Sequence, residues 1–599
     1  MSVLSTKSCM ILSLAVILGI WISRKGQANR DYWQKLPRFT EVEIDFDTPN
    51  TVYLSNLYKS AKEIIEPMSA ESHGRIPSWL KGTLLRNGPG LFEFRDQKAD
   101  HVFDGMAMIR RYHLGINVTE EGKSGDCTVV RNTPAMNISR RLIDSETLRE
   151  NHAEGCFIKY GVGTAPLNTN ILDRIKGDDK KGDNMVVNTV KLFGHYYATT
   201  EAPKIIEYDP VTLETLNTVD LTSVIPGIKI MTPHPQYDAD GTLWNIACAT
   251  GPDRMGKSSG IWRYVIFKVN PPKTEQELLN PWLGLEILAE VSSSRPFTIS
   301  YLHSFFMTEN YLIFTEQPWI FGDLFKLIYE HIIKGGALFS PMYWSKDDPL
   351  LFHIIEKKSG KVSPIKYEAD PMGFFHIINA YEENGYVILD APFKTTPVNY
   401  NIFQISPLSS SPDQLREYMK THGPAAGFSR RWVLPLTAPT FTGDIRQVKS
   451  LGETKVWLVD NSTYYLHPEY LAPPSQYKRQ RTFEFGMVNP KFIGKKYRFA
   501  YGNGFPTGYL AGSIMKLDVE MKEFVSMWDD PTCKATEPQF IPRPDSNEEV
   551  DGVVVFVCLG IDLKNPITSF VVLNPDLQEL GRFTVPLATP VAFHGIWIS

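Results

Sequence analysis

Four of the thirteen histidines in this 599-residue chain, His234, His303, His376 and His594, lie in short, strongly apolar segments. Their separations are 69, 73 and 218 residues, and the last is close to three times the others. A period of about 72 residues that returns a histidine to an apolar inner strand constrains the fold to a radial array of sheets, each sending one side chain to a common axis. Four neutral imidazoles meeting on such an axis form a transition-metal site.

The rest of the chain reads as strand. Past residue 40 there is no long linker or low-complexity tract, and short runs rich in Val, Ile, Tyr and Phe are broken by Gly, Pro, Asp and Asn. One element recurs, an apolar strand followed by a polar turn and a second short strand. It occurs as IIEYDPVTLETL from Ile205, VIFKVNPPKTE from Val265, LFHIIEKKSGKV from Leu351, IMKLDVEMKEFV from Ile514 and SFVVLNPDLQEL from Ser569. Such hairpins would close the outer edges of successive blades. Repeats of about 72 residues allow seven blades, or eight, with excursions between them. A large β-sandwich assembly is the competing all-β architecture.

Net charge near −5 leaves no basic footprint for nucleic acid. The six cysteines (Cys9, Cys127, Cys156, Cys248, Cys533, Cys558) are widely scattered with no CxxC spacing, which points to reduced thiols rather than a disulfide scaffold. Three glycosylation triplets, at Asn117, Asn137 and Asn461, pull weakly toward a secreted chain.

Residues 1–28 form a hydrophobic N-terminal segment ahead of a domain spanning 45–599. Its centre, MILSLAVILGIWIS (residues 10–23), carries no charge and is flanked by Lys7, Arg24, Lys25 and Arg30. As a helix it would reach about 21 Å, short of a hydrocarbon core of about 30 Å unless the basic flanks snorkel. A membrane anchor that leaves the main domain on the cytoplasmic face, a cleaved signal peptide and a mitochondrial leader all remain open. The last is open because Asp31 is the first acidic residue. A second apolar stretch, residues 319–344, has Phe321, Leu324, Phe325, Ile328 and Ile332 near helical spacing, and reads as a patch that dips into a membrane.

Around the four histidines the chain reads TPHPQYDADGTLWNI, SYLHSFFMTENYLIF, GFFHIINAYEENGYVILD and TPVAFHGIW. To these are added WLKGTLLRNGPGLFEF (79–94), HVFDGMAMIRRY (101–112), RRWVLPL (430–436) and GKKYRFAYG (494–502). Together, and in this order, they resemble the carotenoid cleavage oxygenase family from about residue 50 onward. The resemblance implies an all-β seven-bladed β-propeller, with loop and short-helix excursions forming a cap and a substrate tunnel. It implies a single iron(II), Fe2+, on His234, His303, His376 and His594, with Glu201, Glu484 and Glu537 accepting hydrogen bonds from the outer ring nitrogens. A carboxylate behind an imidazole fixes its tautomer and raises its basicity.

The implied reaction is cleavage of a carotenoid C=C bond with O2 to aldehydes such as retinal. The resemblance also admits a retinoid isomerohydrolase acting on retinyl ester, and a non-enzymatic carotenoid-binding propeller. Phe94, Phe103 and Trp344 are candidates for lining the tunnel or its entrance. Membrane association through 10–23 and 319–344 is expected at the endoplasmic reticulum, with the mitochondrion as the alternative. Two departures from the family pattern stand out. GVGTAPLNTN (161–170) lacks the cysteine that many animal members carry there, and Gln236 stands where many relatives have a second histidine.

Overall fold

Val, Ile, Phe and Tyr recur at the strand positions because β-branched and aromatic side chains fit a pleated, half-buried surface. The computed structural model describes residues 31–599 except 44–46, 48–51, 125–126, 159–161, 165–181, 255, 257–261, 296, 323–325, 327, 335–336, 338–339, 397–399, 423–426, 438–439, 481 and 506–511. Among the described residues the architecture is all-β and propeller-like, with few and short helices. Three sheets have four strands each, one has five, one seven, one ten, and a two-stranded ribbon stands apart.

The recurrent sequence element forms the outer hairpins. Lys204–Tyr208 pairs with Thr215–Asp220, Ser513–Asp518 with Glu523–Asp529, and Thr568–Leu573 with Glu579–Val585, all antiparallel. The second copy differs. Trp262–Val269 pairs with Leu285–Ser292, but the connection carries the short helix Glu275–Leu279. Thr274 caps that helix by accepting from the Glu277 N–H, so the polar turn has enough local order to continue as a helix.

Neighbouring sheets pack face to face through apolar clusters. Val190, Tyr197 and Ile205 from one sheet meet Leu243, Val265 and Phe267 from the next, all buried. Each such side chain contributes about 1.5–3 kcal/mol on leaving water. The ring is closed by the C-terminal strand Gly595–Ile598, which pairs antiparallel with Gly82–Leu91 near the other end of the chain, Arg86 opposite Gly595. That pairing fixes where the last histidine stands.

Residues 31–41 strap onto the outside of the seven-stranded sheet. Tyr32 Oη and Trp33 Nε1 donate to Glu368, and Arg38 pairs with Asp370 at 2.6 Å. The apolar segment at 10–23 lies outside the described residues. In the second apolar stretch, Trp319–Ile320 and Tyr343–Trp344 form the two-stranded ribbon around a short π-helix, Ile328–Ile333. Among the described residues no helix is long and apolar enough to cross a membrane.

The cysteine expectation is corrected in one place. Cys533 and Cys558 are joined in a disulfide across adjacent strands, with Cα atoms 5.5 Å apart, while Cys156 and Cys248 are free. The 25-residue separation of Cys533 and Cys558 hides the pairing, which runs diagonally between the two strands, since Cys533 lies opposite Gly560 and Ala535 opposite Cys558.

Candidate metal centre

Each of the four histidines stands one to three residues ahead of the edge strand of its sheet: Gln236–Tyr237, Phe306–Met307, Asn379–Glu383 and Gly595–Ile598. The repeat in sequence is thus a repeat of position in the fold. One ring nitrogen from each of the four lies within 4.8 Å of the others, a group able to hold a metal ion. His234 Nε2 is 3.0 Å from His303 Nε2, which is 3.3 Å from His376 Nε2.

The opposite ring nitrogens are held from behind. His303 Nδ1 lies 3.1 Å from Glu201, His376 Nδ1 lies 3.1 Å from Glu484, and His594 Nδ1 lies 2.9 Å from Glu537. A carboxylate can only accept, so each Nδ1 carries the proton and each Nε2 presents a lone pair to the centre. Among the described residues no carboxylate stands behind His234. Lone pairs facing one another at 3.0–3.3 Å repel unless a cation lies between them. Nitrogens bonded to one ion at about 2.0–2.1 Å are separated by about 3 Å when adjacent. The donor set and its spacing therefore fit a bound transition metal.

Electrostatics keep the rings ready. Burial, then the neighbouring imidazoles His594, His303 and His376, hold His234 well below the ordinary histidine range. Burial also drives His376 down to about 4, against the opposing pull of Glu484. No proton has to leave either ring at neutral pH before a metal binds. Burial would raise Glu484, but Lys394 and His376 bring it down to about 2. Glu201 and Glu537 are likewise held below the usual carboxylate range despite burial, by His303 and by His594.

Local backbone demands explain some of the sequence. Gly595 directly follows His594, and a Cβ there would lie 2.2 Å from the Leu85 carbonyl oxygen. Only glycine lets the closing strand approach closely enough to seat His594. Phe485 follows Glu484 with φ of 55°, a left-handed conformation that is strained for an aromatic residue. The strain aims its ring at the centre, 4.8 Å from His376 and 5.3 Å from His594.

The tunnel candidates separate. Phe103 packs 4.6 Å from Phe593, the residue before His594. Phe94 packs on Phe157 at 5.1 Å, in a cluster with Phe92, Ala99 and Met106. Trp344 pairs with Trp319 and lines a cavity of about 290 Å³ with Arg38, Phe39 and Lys346. The aromatic walls against the histidines are instead Phe375, 5.3 Å from His303, and Phe485. Tyr301 was also missed. Its hydroxyl bridges Glu201 and His303 Nδ1, both at 2.9 Å. The period-two alternation of an extended segment puts residue 301 on the same side as 303, so that signal was available. Phe375 and Phe485 carried only adjacency to a ligand or a carboxylate.

An all-β, propeller-like fold that gathers four histidines able to hold a metal ion, three of them backed by carboxylates, defines the class of scaffold, and the comparisons give its family. The family model described as retinal pigment epithelial membrane protein matches residues 58–599. The mitochondrial carotenoid-cleaving dioxygenase of Mustela putorius furo is 31% identical over 568 residues, covering 91% of this chain and 96% of the relative. The human protein of the same description is 31% identical, covering 90% of each chain. The β,β-carotene 15,15′-dioxygenase of Gallus gallus is 30% identical, covering 90% of this chain and 97% of its own. Among solved structures, a variant of Synechocystis apocarotenoid oxygenase superposes with a TM-score of 0.67 at 20% identity, covering 93% of this chain and all of the other. That likeness shows the fold. The chain belongs to the carotenoid cleavage oxygenase family, and it is a dioxygenase.

Proposed function

We propose that the four histidines bind one iron(II) and that the enzyme splits a C=C bond of a β-carotene-like carotenoid with O2. One dioxygen and one alkene carbon pair give two aldehydes, R–CH=CH–R′ + O2 → R–CHO + R′–CHO, with every atom accounted for. The convergence of four imidazoles, three of them oriented by carboxylates, carries the reading. Bound there, iron(II) supplies the redox chemistry by which dioxygen reacts with a carbon–carbon double bond.

The protein's own share is positional. A polyene has no titratable group at the scissile bond, so no side chain needs to move a proton. Phe375, Phe485 and Trp319 offer flat apolar faces for a stiff conjugated chain. Tyr301 is occupied in orienting His303 through Glu201.

Seven blades account for the sheets. The ten-stranded sheet would divide at Ile64–Gly74 into two blades, and the seven-stranded sheet would be one four-stranded blade with three added outer strands. Residues 45–599 then act as one catalytic domain. The mitochondrial relatives and a first acidic residue at Asp31 favour the mitochondrion, and the endoplasmic reticulum gains no support from the relatives. Tyr329 and Ile333, 49% and 54% exposed, support contact of the 319–344 excursion with a membrane. Cell fractionation should place the full chain with mitochondrial membranes. Recovery in the soluble cytosol would contradict both assignments.

The deciding assay is incubation with β-carotene under labelled O2. Each aldehyde should carry one labelled oxygen. Retinal would indicate central cleavage, whereas an apo-10′-carotenal with an ionone would indicate eccentric cleavage. Label-free products, or 11-cis-retinol formed from retinyl ester, would replace the oxygenase reading with that of an isomerohydrolase.

A further inference from the structure

The three carboxylates behind the histidines are held in unequal ways. Glu201 receives two neutral hydroxyls, Tyr301 at 2.9 Å and Thr200 at 3.1 Å. Glu537 pairs at 3.1 Å with the buried guanidinium of Arg86. Glu484 splits its two oxygens, Oε2 facing His376 Nδ1 and Oε1 accepting from the ammonium of Lys394. Lys394 is only 6% exposed, and an ammonium is among the costliest groups to bury.

The fold takes specific measures to place it. Lys394 directly follows the strand Tyr386–Phe393, and its backbone exchanges two hydrogen bonds with Gly373, of 2.8 and 2.9 Å. Its side chain then runs beside Gly427, where a Cβ would stand 2.9 Å from Lys394 Cε. A larger residue at 427 would block that path. The ammonium finishes 5.6 Å from the centre of the Phe375 ring, on the same wall as His303.

We propose that Lys394 is a positioning residue of the metal centre. Its side chain holds the Glu484 carboxylate fixed in rotation through Oε1, so that Oε2 accepts the hydrogen bond from the His376 Nδ1–H and Nε2 is presented to the metal. The proposal rests on the metal-centre reading above. The physical reason lies in the metal-free site. A buried carboxylate facing one imidazole has its second oxygen without a donor, and it would swing away from the ring. Lys394 supplies that donor in advance, as Arg86 does for Glu537. The His303 arm relies on hydroxyls instead, so the three arms should differ in what disrupts them.

The test is cobalt(II) titration of the chelator-stripped full chain, read as a dissociation constant and as the visible absorption bands of the bound ion. Lys394→Met should weaken cobalt binding by about 10–100-fold, the range for lost partners behind metal ligands, and shift the bands. Lys394→Arg, which keeps the charge, should restore most of the affinity. Glu484→Gln should fall in the same range as Lys394→Met, and the double variant Lys394→Met/Glu484→Gln should bind no more weakly than Glu484→Gln alone. That comparison decides the matter even if Lys394→Met does not accumulate as folded protein.

Unchanged affinity and spectrum in Lys394→Met would overturn the proposal. So would tighter binding, which a lysine acting only by repelling the metal would give. A further loss in the double variant would also overturn it, because it would show a role independent of Glu484. Failure of the unsubstituted chain to take up cobalt would overturn the metal reading itself.

Discussion

His303→Ala and His594→Ala should each abolish cleavage activity and leave the purified protein with almost no iron. The four ring nitrogens lie within 4.8 Å of one another, and each is a separate point of attachment from a different part of the ring. Losing one removes a quarter of the donor set, and it also frees the carboxylate behind it. Glu201 without His303 keeps Tyr301 and Thr200, and Glu537 without His594 keeps Arg86. The loss should exceed the roughly 10–100-fold that follows from changing a partner behind a ligand. Metal content by elemental analysis, with product formation from β-carotene, measures both. An iron-depleted variant with full activity would end the iron assignment.

Arg86→Met should destabilise the fold by about 3–5 kcal/mol, the cost of leaving one member of a buried ion pair alone. The Arg86 side chain is fully buried and Glu537 is 11% exposed, so neither can recover its hydration. Arg86 does more than balance charge. It donates to the carbonyls of Glu537 and Phe593, tying the segment that carries a carboxylate to the segment that carries a ligand. It also stands opposite Gly595 in the strand pair that closes the ring. Denaturant unfolding should therefore show the lower midpoint, and iron retention should fall with it. Arg86→Met/Glu537→Gln, with both charges removed, should regain part of the stability. A single variant as stable as the natural chain would show that the pair contributes no net stability.

Much of the site was legible in the chain because it is written as repetition and local context. The spacing of His234, His303 and His376 reports the blade period directly, since each sits at the same place in its own sheet. The outer hairpins were legible for the same reason, as local pairings of an apolar strand, a polar turn and a second strand. Glu201, Glu484 and Glu537 could be selected only through the motifs around them. A lone glutamate has no pattern that marks a partner roughly 60–110 residues away in sequence. Phe94 packs against Phe92, Ala99 and Met106, and no pattern of residues next to a strand end announces that cluster. Cys533 and Cys558 misled because their pairing depends on strand register.

What the sequence alone determined is the kind of scaffold and the four histidines that converge in it, because strand propensity, period and residue type are properties of short segments repeated along the chain. What only the tertiary structure decided is how those donors are held. Arg86 on Glu537, Lys394 on Glu484, Tyr301 between Glu201 and His303, and the Phe375 and Phe485 walls all depend on approach in three dimensions. Burial makes those approaches decisive. A charge or a lone pair removed from water must find its partner within about 3 Å, and sheet packing rather than spacing along the chain selects which residue that is.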